Sequence, residues 1–310
     1  MKKKISILTP CFNEEENVVP LYETIARIME SIDGYDYEHI YIDNASTDGT
    51  VPKLRELAAK DKRVKVILNA RNFGHIRSPY YGLLQADGDA VVYMASDFQD
   101  PPDLIPKLIN GWQRGAKAVL AIKDSSDESG VFFALRRIYY RLVERLADVR
   151  TYQNFTGFGL YDRAVVDYCR SLEDPYPYFR GIIAETGLPT EEVHYHQPAR
   201  KRGITKNNFY TLYDMAMLGI TNHSKIPLRL ATMSGFLMSV LSLLVGITYL
   251  IYKLLFWQQF PAGTAPLVIG LFFFASVQLF FIGILGEYIG SIHTQVHKRP
   301  LVVEKERLNF

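Results

Sequence analysis

The stretch Tyr41-Ile42-Asp43-Asn44-Ala45-Ser46-Thr47-Asp48-Gly49-Thr50 joins the end of an apolar run to an acidic turn and the start of a helical pattern. The run His39–Ile42 predicts a buried β-strand that ends at Asp43. Val51–Lys60 has helical periodicity, and Thr50 is a candidate cap for that helix. A strand, a polar turn and a helix in this order are typical of the repeating unit of a parallel α/β sheet.

The same alternation continues on both sides of this stretch. The other candidate strands are Ile5–Leu8, Val64–Leu68, Ala90–Ala95 and Ala118–Ile122. The other candidate helices are Asn17–Ser31, Ser78–Gln85 and Asp103–Gln113. This alternation predicts an α/β fold with a mostly parallel sheet and helices on both faces. Sheets of this kind bind ligands outside the carboxyl ends of their strands.

A second acidic residue follows the fourth candidate strand, in Met94-Ala95-Ser96-Asp97-Phe98-Gln99-Asp100. Asp43 and Asp97 are therefore both expected at the ligand-binding edge of the sheet. Carboxylates there suit a hard divalent cation that is shared with a diphosphate. An acidic residue after a strand can also serve only as a turn or cap residue. Two of them at equivalent strand ends weaken that simpler interpretation.

Bulk properties exclude several classes of protein. The chain has 310 residues and a net charge of +2, which argues against nucleic acid as a main partner. Its two cysteines, Cys11 and Cys169, form no CxxC motif, so zinc and redox motifs are disfavoured and a reducing compartment fits. The sequence contains neither GxxxxGK[ST] nor GxGxxG, which disfavours nucleotide hydrolysis and dinucleotide redox chemistry. The apolar run Ile5–Leu8 is too short for a signal peptide, so we expect a cytoplasmic N-terminal domain.

Two long uncharged stretches, Leu230–Tyr252 and Leu254–Gly286, dominate the C-terminal third. Each can supply the roughly 20 apolar residues that a membrane-spanning helix requires. Lys225 and Arg229 precede the first stretch, and His297-Lys298-Arg299 follows the second. The positive-inside rule then predicts that both termini are cytoplasmic and that the short connection lies outside. Two buried helices of a soluble protein would be a poor alternative, because the stretches are too long and too uniformly apolar.

These features divide the chain into four predicted parts. They are a cytoplasmic catalytic domain over 1–205, an interfacial helix region over 206–228, two transmembrane helices over 229–290 and a cytoplasmic tail over 291–310. The interfacial region could instead be a core helix of the soluble domain. Within that domain Val131–Asp148 reads as an amphipathic helix with arginines at every fourth position. Its basic face is either a solvated surface or one turned to anionic groups at the membrane.

Seven short motifs occur in an order that is familiar from one family. The segments are Thr9-Pro10-Cys11-Phe12-Asn13-Glu14, Ile42–Thr50, Arg71-Asn72-Phe73-Gly74-His75, Ala86–Ala90, Asp97-Phe98-Gln99-Asp100-Pro101-Pro102, Thr156–Arg163 and Arg200–Lys206. With these motifs and the two-helix anchor, the chain resembles the family 2 inverting glycosyltransferases of the polyprenyl-phosphate sugar synthase type. Dolichol-phosphate mannose synthases and bacterial undecaprenyl-phosphate glucosyltransferases belong to this type.

The resemblance implies a GT-A fold, followed by interfacial helices and two transmembrane helices, and it assigns roles to residues. It implies a nucleotide-sugar site formed by Pro10, Phe12, Glu14, Asp43, Asn72, Gly74 and Asp97, in which Asp43 faces the base. It implies lipid-phosphate or diphosphate contacts from Arg136, Arg137, Arg200 and Lys206. Asp97 and Gln99 would hold magnesium or manganese, and Asp97 and Arg200 would be catalytic. The basic residues after Arg200 could also reflect the ordinary enrichment of positive charge beside a membrane span.

Three positions depart from the family pattern. Ala95 stands where the family has the first acid of its DxD motif, so the implied metal shell loses one carboxylate. Asn44 replaces the usual second acid after the second strand. Gly159 replaces an arginine that many relatives have, which removes one candidate phosphate contact.

The implied function is the transfer of a sugar from a nucleoside diphosphate sugar to polyprenyl phosphate, with a UDP-sugar as donor and undecaprenyl phosphate as acceptor. We expect a homo-oligomer in the inner membrane, with a tetramer as one candidate, and no nucleic-acid partner. One alternative is a polysaccharide synthase, but two spans are too few for a pore and no QxxRW motif is present. Another is an inactive scaffold that binds nucleotide sugars, which Ala95 favours and the retained Asp97–Asp100 motif disfavours.

Overall fold

The computed structural model describes residues 2–125, 152, 154–198, 217, 221, 226–256 and 264–310. Within these ranges the chain forms one eight-stranded sheet with helices on both faces, and two long apolar helices. The strands are β1 (Lys3–Cys11), β2 (Tyr35–Asp43), β3 (Val64–Asn69), β4 (Ala90–Tyr93), β5 (Ala118–Ser125), β6 (Phe155–Asp162), β7 (Thr190–His196) and β8 (Glu304–Leu308). The helices are α1 (Val18–Glu30), α2 (Thr50–Lys60), α3 (Gly74–Gln85), α4 (Ile105–Gln113), α5 (Arg163–Ser171), α6 (Phe179–Glu185), α7 (Ile226–Leu255) and α8 (Thr264–Val296), and a 3₁₀ turn (Pro102–Leu104) precedes α4.

The sheet has the strand order β7-β5-β6-β4-β1-β2-β3-β8. The four strands β4, β1, β2 and β3 are parallel to one another and form its centre. β6 runs antiparallel between β4 and β5, and β8 runs antiparallel along β3 at the edge. The prediction of a mostly parallel α/β sheet is therefore confirmed, with two antiparallel additions that the alternation of strands and helices did not indicate.

Both faces of the central strands are buried, which explains their continuous apolar runs. Successive side chains of a strand point to opposite faces. Ile5 and Ile7 of β1 accordingly pack with α1 and α4, whereas Leu8 packs with α3 on the other face. Ile40 and Ile42 of β2 join Leu8 in that second cluster. The core thus has one layer of helices on each side of the sheet.

Element boundaries differ from the predicted ones where polar residues take part in pairing. β1 and β2 extend from the predicted apolar runs to Lys3 and Tyr35, because those two residues pair with each other across the parallel ladder. β4 ends at Tyr93, two residues before the predicted end. α2 begins at Thr50 with Gly49 in the capping position, so the expectation that Thr50 is the cap was wrong by one residue. α3 begins four residues earlier than predicted and contains Pro79 in its interior.

The C-terminal segment re-enters the sheet after the two apolar helices. β8 pairs with β3, and its first residue Glu304 lies opposite Asn69 at the carboxyl end of that strand. The backbone N–H of Ala70 donates to the carbonyl of Val303 at 2.9 Å, which continues the ladder. The sequence analysis did not predict this strand, because Glu304–Leu308 is short and mostly charged. Charged side chains are common on edge strands, where they prevent further pairing.

The two long helices α7 and α8 are apolar and long enough to cross a membrane over Ile226–Leu255 and Ile269–Val296. They extend beyond the uncharged stretches, so that α7 includes Arg229 and Lys253. Most of the predicted interfacial region 206–228 lies outside the described residues. At its C-terminal end α8 contacts the soluble domain, where the Gln295 amide donates to Asp174 Oδ1 at 2.9 Å.

Candidate active site

The loops at the carboxyl ends of β1, β2 and β4 form the candidate site. Asp43 is the last residue of β2 and lies opposite Cys11 of β1 in the parallel ladder. Asp97 lies four residues beyond Tyr93, the last residue of β4. Because β2 and β4 flank β1 and all three strands are parallel, the structure brings both acidic residues to one edge. The order of the strands reverses at β1, and such a switch point is where open α/β sheets bind ligands.

Asp43 holds its own turn closed. The residue is 1% exposed, and its carboxylate accepts hydrogen bonds from the backbone N–H of Ser46 at 3.0 Å and from the Ser46 hydroxyl. Ala45 between them has a φ of +63°, which gives the tight turn. Burial raises the pKa of Asp43, although both bonds from Ser46 act in the opposite direction. Asp43 therefore does stabilise a turn, which was the alternative role that the sequence analysis left open for it.

The loop after β1 is fastened to the loop after β2. The Asn13 backbone N–H donates to Ser46 Oγ at 2.8 Å, and Thr47 N–H donates to Asn13 Oδ1 at 2.8 Å. Glu14 N–H donates to Thr50 Oγ1 at 2.8 Å, and the Glu14 carboxylate accepts from Asn17 Nδ2 at 2.6 Å. These bonds fix the positions of the segment that carries three of the residues assigned to the nucleotide-sugar site, which are Pro10, Phe12 and Glu14.

Asn44 connects β2 to the loop that opens α3. Its Nδ2 donates to Asn72 Oδ1 at 2.9 Å and to the Gly74 carbonyl at 3.1 Å. Its Oδ1 accepts from Phe73 N–H at 2.9 Å and from Asn69 Nδ2 at 3.2 Å. Asn72 Oδ1 also accepts from Gly74 N–H at 2.8 Å, and Gly74 has a φ of +85°. The sequence analysis noted Asn44 only as a departure from the family, and missed that it organises Asn72 and Gly74.

The loop after β4 is folded around two carboxylates. Asp97, 7% exposed, accepts from Gln99 N–H at 3.1 Å, and Phe98 between them has a φ of +59°. Asp100 Oδ2 accepts from the backbone N–H of Ala95 at 2.8 Å, and Asp100 Oδ1 accepts from the Tyr195 hydroxyl at 3.4 Å. Burial raises the pKa of Asp100 to about 7, and the neighbouring Asp97 carboxylate adds to the rise. Asp100 therefore shapes the loop that presents Asp97.

The oxygen atoms of this loop fit a divalent cation that a diphosphate helps to hold. Among the described residues, no group of three or more His, Cys, Asp or Glu side chains is arranged to hold an ion. Asp97 and Gln99 would contribute one carboxylate and one amide oxygen, and Ala95 contributes no side-chain oxygen. Magnesium commonly takes one or two protein carboxylates and completes its shell with phosphate oxygens and water. These two oxygen ligands fit a cation that is shared with a diphosphate. They are too few to hold a cation by protein ligands alone.

A cavity of about 320 Å³ lies beside this loop, between α3, the start of β6 and the start of α6. Its lining residues are His75, Ile76, Pro79, Tyr80, Leu83, Tyr93, Thr156, Gly157, Pro177, Tyr178, Phe179 and Arg180. The sequence analysis assigned no role to any of them, although three lie in segments that match the family. Those three are His75, Thr156 and Gly157.

The four basic residues that the resemblance assigned to phosphate groups, Arg136, Arg137, Arg200 and Lys206, lie outside the described residues. The described chain before them ends just after β7, whose last residue His196 lies at the same edge of the sheet as Asp97.

Comparison with known proteins identifies the class. Residues 6–169 match glycosyl transferase family 2, and residues 226–292 match the GtrB C-terminal hairpin. The fold, the acidic loops and these matches define a glycosyltransferase with a GT-A-like fold. The chain belongs to glycosyl transferase family 2, as its motifs predicted.

Relatives match along almost the whole chain. The SfII prophage-derived bactoprenol glucosyl transferase of Shigella flexneri is 35% identical, over 98% of both chains. The prophage bactoprenol glucosyl transferase homolog of Escherichia coli K12 is 32% identical, over 97% of this chain and 98% of the relative. A solved structure of glucosyl-3-phosphoglycerate synthase from Mycobacterium tuberculosis, with Mn²⁺, UDP-glucose and phosphoglyceric acid, is also similar. The match covers 71% of this chain and 78% of the synthase chain. It is 20% identical, with a TM-score of 0.49.

Proposed function

We propose that this glycosyltransferase transfers glucose from UDP-glucose to polyprenyl phosphate at the cytoplasmic face of the inner membrane. The observation that carries the proposal is the re-entry of the chain from α8 into the sheet at the edge that holds Asp43 and Asp97. Only seven residues, 297–303, separate the end of α8 from this edge of the sheet. The bactoprenol glucosyl transferase relatives support glucose as the sugar and a polyprenyl carrier as the acceptor.

The donor is assigned to the loops after β1, β2 and β3. In this proposal the nucleoside lies among Pro10, Phe12, Glu14, Asn72 and Gly74, with Asp43 towards the base. The hydrogen bonds that join these loops support the assignment, because a preorganised site loses less conformational entropy when it binds.

The diphosphate is assigned to the loop after β4, with magnesium or manganese held by Asp97 and Gln99. A divalent cation there would offset negative charge on the leaving diphosphate. Asp100 and the Ala95 backbone hold the shape of this loop. Arg200 and Lys206 would add positive charge at the same edge, as the family resemblance implies, and Arg136 and Arg137 would meet the lipid phosphate.

The chemistry requires no strong general base. A phosphate monoester has a second pKa of about 6, so the acceptor is largely dianionic at cytoplasmic pH. One phosphate oxygen attacks the anomeric carbon and forms the new C–O bond. The bond from that carbon to the β-phosphate oxygen breaks with inversion, and its electron pair leaves with UDP. No proton must be removed from the nucleophile, so the residues of the site are left to position two anions and to offset their charge.

Confinement to the membrane contributes to the rate. The polyprenyl tail keeps the acceptor phosphate at the headgroup level, and the two apolar helices would keep the site in the same plane. This raises the effective concentration of one reactant for the other. Because β8 belongs to the sheet of the catalytic domain, the structure supports a cytoplasmic C-terminus on the side of that domain. We also expect a homo-oligomer, which light scattering in detergent would measure.

A radiolabel transfer assay tests the proposal. Purified full-length protein would receive UDP-[¹⁴C]glucose, polyprenyl phosphate and a divalent cation. The expected product is a single lipid-linked glucose, whereas a polymer would indicate a polysaccharide synthase and no product would indicate an inactive scaffold.

We expect Asp97→Ala to reduce turnover by about 100-fold or more, on the scale of losing a central charge-stabilising group. Asp103→Ala, at an exposed acidic residue of the adjacent 3₁₀ turn, is the matched control. Retention of most activity by Asp97→Ala would remove that residue from the reaction centre.

A further inference from the structure

We propose that the cavity between α3, β6 and α6 receives the phosphorylated end of the polyprenyl acceptor, with Arg180 in contact with the phosphate. This inference rests on the proposed function, since it assigns the acceptor of the same reaction. It assigns the acceptor to described residues for which the sequence analysis predicted no role. Arg136 and Arg137, which the family resemblance assigns to the same phosphate, lie outside the described residues.

One end of the cavity adjoins the loop that carries Asp97. Tyr93 lines the cavity and is the last residue of β4, immediately before that loop. Burial raises the pKa of Tyr93, the Asp100 carboxylate raises it further and the Arg180 guanidinium opposes the rise. Arg180 lines the same cavity as Tyr93, and the ring of the preceding residue, Phe179, has its centre 6.2 Å from the centre of the Tyr93 ring. A phosphate in the cavity would lie beside the site assigned to the donor.

The segment that follows α8 contacts two elements that line the cavity. The Arg77 guanidinium, next to the lining residue Ile76 on α3, donates to the carbonyl of Pro300. Gln295 of α8 donates to Asp174 at 2.9 Å, and the Lys298 ammonium lies 4.0 Å from the Glu173 carboxylate. Pro177 and Tyr178, a few residues further along the same segment, line the cavity. The segments that line the cavity therefore also contact the end of α8 and the residues after it, and Tyr93 joins the cavity to the acidic loop. A lipid whose tail stays in the bilayer has to bridge these two places.

The lining combines an apolar wall with a cation. Four aromatic residues, Tyr80, Tyr93, Tyr178 and Phe179, contribute to the wall. The Phe179 ring lies 6.2 Å from the ring centres of both Tyr80 and Tyr93, which makes it the centre of this wall. The volume of the cavity, about 320 Å³, is at the lower end of the range of small-molecule sites, roughly 300–1,000 Å³. Such a lining fits the first isoprenyl units of a lipid and a single anionic headgroup.

Arg180 is fixed where it can bind that headgroup. Its Nη1 donates to the carbonyl of Phe155 at 3.3 Å, and its guanidinium lies 5.3 Å from the centre of the Tyr178 ring. A guanidinium stays charged at all relevant pH values and carries five N–H donors, so it can contact the cavity wall and a phosphate together. Arginine is the preferred residue for phosphate recognition of this kind.

Two variants test the cavity in detergent with the full-length chain. Arg180→Gln removes the cation and keeps a polar side chain, and Ile76→Trp fills the partly exposed cavity wall on α3. We expect each variant to raise KM for polyprenyl phosphate about tenfold while KM for UDP-glucose stays within about twofold. Arg114→Gln and Glu23→Trp, at exposed positions of the opposite helix layer, are the matched controls. Unchanged KM for polyprenyl phosphate in both variants, or a rise confined to KM for UDP-glucose, would overturn the proposal.

Two further probes distinguish the headgroup from the tail and remain readable if a variant misfolds. Inorganic phosphate should compete with polyprenyl phosphate in the wild type, and Arg180→Gln should weaken this competition more than Ile76→Trp does. A benzophenone-labelled isoprenyl phosphate should crosslink to peptides that contain residues 75–83 and 176–180 of the wild type. Crosslinks found only elsewhere would refute the assignment. Absence of lipid-linked glucose with the wild type would instead refute the proposed function, and the crosslinks would still identify or exclude the cavity as a lipid-phosphate site.

Discussion

At the scale of single residues, Asn44 shows how a departure from a family pattern is built into a site. The family resemblance implies a carboxylate at this position, but here the side chain donates two hydrogen bonds and accepts two others. An amide can do both, whereas an ionised carboxylate only accepts. Asn44 thereby holds the loop that carries Asn72 and Gly74, both of which we assign to the donor site.

We predict that Asn44→Asp weakens donor binding, although aspartate has nearly the same shape as asparagine and supplies the acid that the family resemblance implies at this position. The carboxylate would face Asn72 Oδ1 and the Gly74 carbonyl with no proton to share. Losing hydrogen bonds of this kind costs about 1–3 kcal/mol, so the Kd for UDP should rise roughly tenfold or more. Calorimetric titration of the detergent-solubilised protein with UDP measures this change. Asn110→Asp, at an exposed position of α4, is the control. An unchanged Kd for UDP in Asn44→Asp would show that this network does not shape the donor site.

At the scale of elements, one buried carboxylate in the amino-terminal half of β2 contacts both neighbouring strands. Glu38 of β2 is 2% exposed and pairs with Lys4 of β1 and with Lys65 of β3, whose ammonium lies 2.9 Å away. It also accepts from Ser6 Oγ at 2.6 Å and from Asp87 N–H at 3.1 Å. Burial alone would raise the pKa of Glu38, but these hydrogen bonds outweigh it and lower the pKa to about 2. Three neighbouring strands therefore share one charged contact.

Glu38→Gln should destabilise the protein at neutral pH and much less in acid. A carboxyl whose folded pKa lies below its unfolded value stabilises the fold above the unfolded pKa, and this contribution is lost as the pH falls towards the folded value. The wild type should therefore lose this stabilisation between about pH 4.5 and about pH 2. At pH 7 the free energy of unfolding of the variant should be roughly 3 kcal/mol below that of the wild type. Melting followed by tryptophan fluorescence in detergent at pH 7 and pH 3 measures it, with exposed Glu56→Gln as control. If the melting temperature of Glu38→Gln differed from that of the wild type by the same amount at both pH values, this account would be contradicted.

At the scale of the whole molecule, the last strand binds the end of the chain to the catalytic sheet. β8 pairs with β3, and the Arg55 guanidinium forms a two-pronged ion pair with Glu306. Beyond the strand, Asn309 Nδ2 donates to the carbonyls of Ala58 at 2.6 Å and Val64 at 2.8 Å. The chain thus leaves the sheet, passes through two apolar helices and returns to the same sheet. This return requires the C-terminus to be on the same side of the membrane as the catalytic domain.

Reporter fusions in a Gram-negative host test this topology. Alkaline phosphatase fused after Phe310 should be inactive, because it would stay in the cytoplasm, and green fluorescent protein at the same place should fluoresce. Alkaline phosphatase fused within the connection 257–263 is the matched control and should be active. Phosphatase activity from the C-terminal fusion would be incompatible with the pairing of β8 and β3.

The sequence predicted those parts of the fold and the site that depend on interactions between residues close together in the chain. The apolar runs of β1 to β5 and the helices between them were recognisable, because hydrophobic periodicity and strand-end acids lie within a few residues of each other. β6, α5, α6, β7 and β8 were not predicted. β6 depends on two neighbours, β4 and β5, that are distant in sequence, and β8 reads as a charged tail until β3 is beside it. Asp97 and Asp43 were identified from their positions, but the contacts of Asn44, Asp100 and Arg180 were not.

By itself, the sequence determined the parallel α/β core, the two apolar spans and the family, because each depends on residue types at short spacings along the chain. Only the tertiary structure decided that the end of α8, the strand β8 and the loops after β2 and β4 meet at one edge of the sheet. It also decided which side chains enclose the cavity beside Asp97. The physical reason is that these contacts join residues up to more than two hundred positions apart, such as Asn69 and Glu304. Their geometry follows from the packing of the whole sheet, which no local pattern specifies.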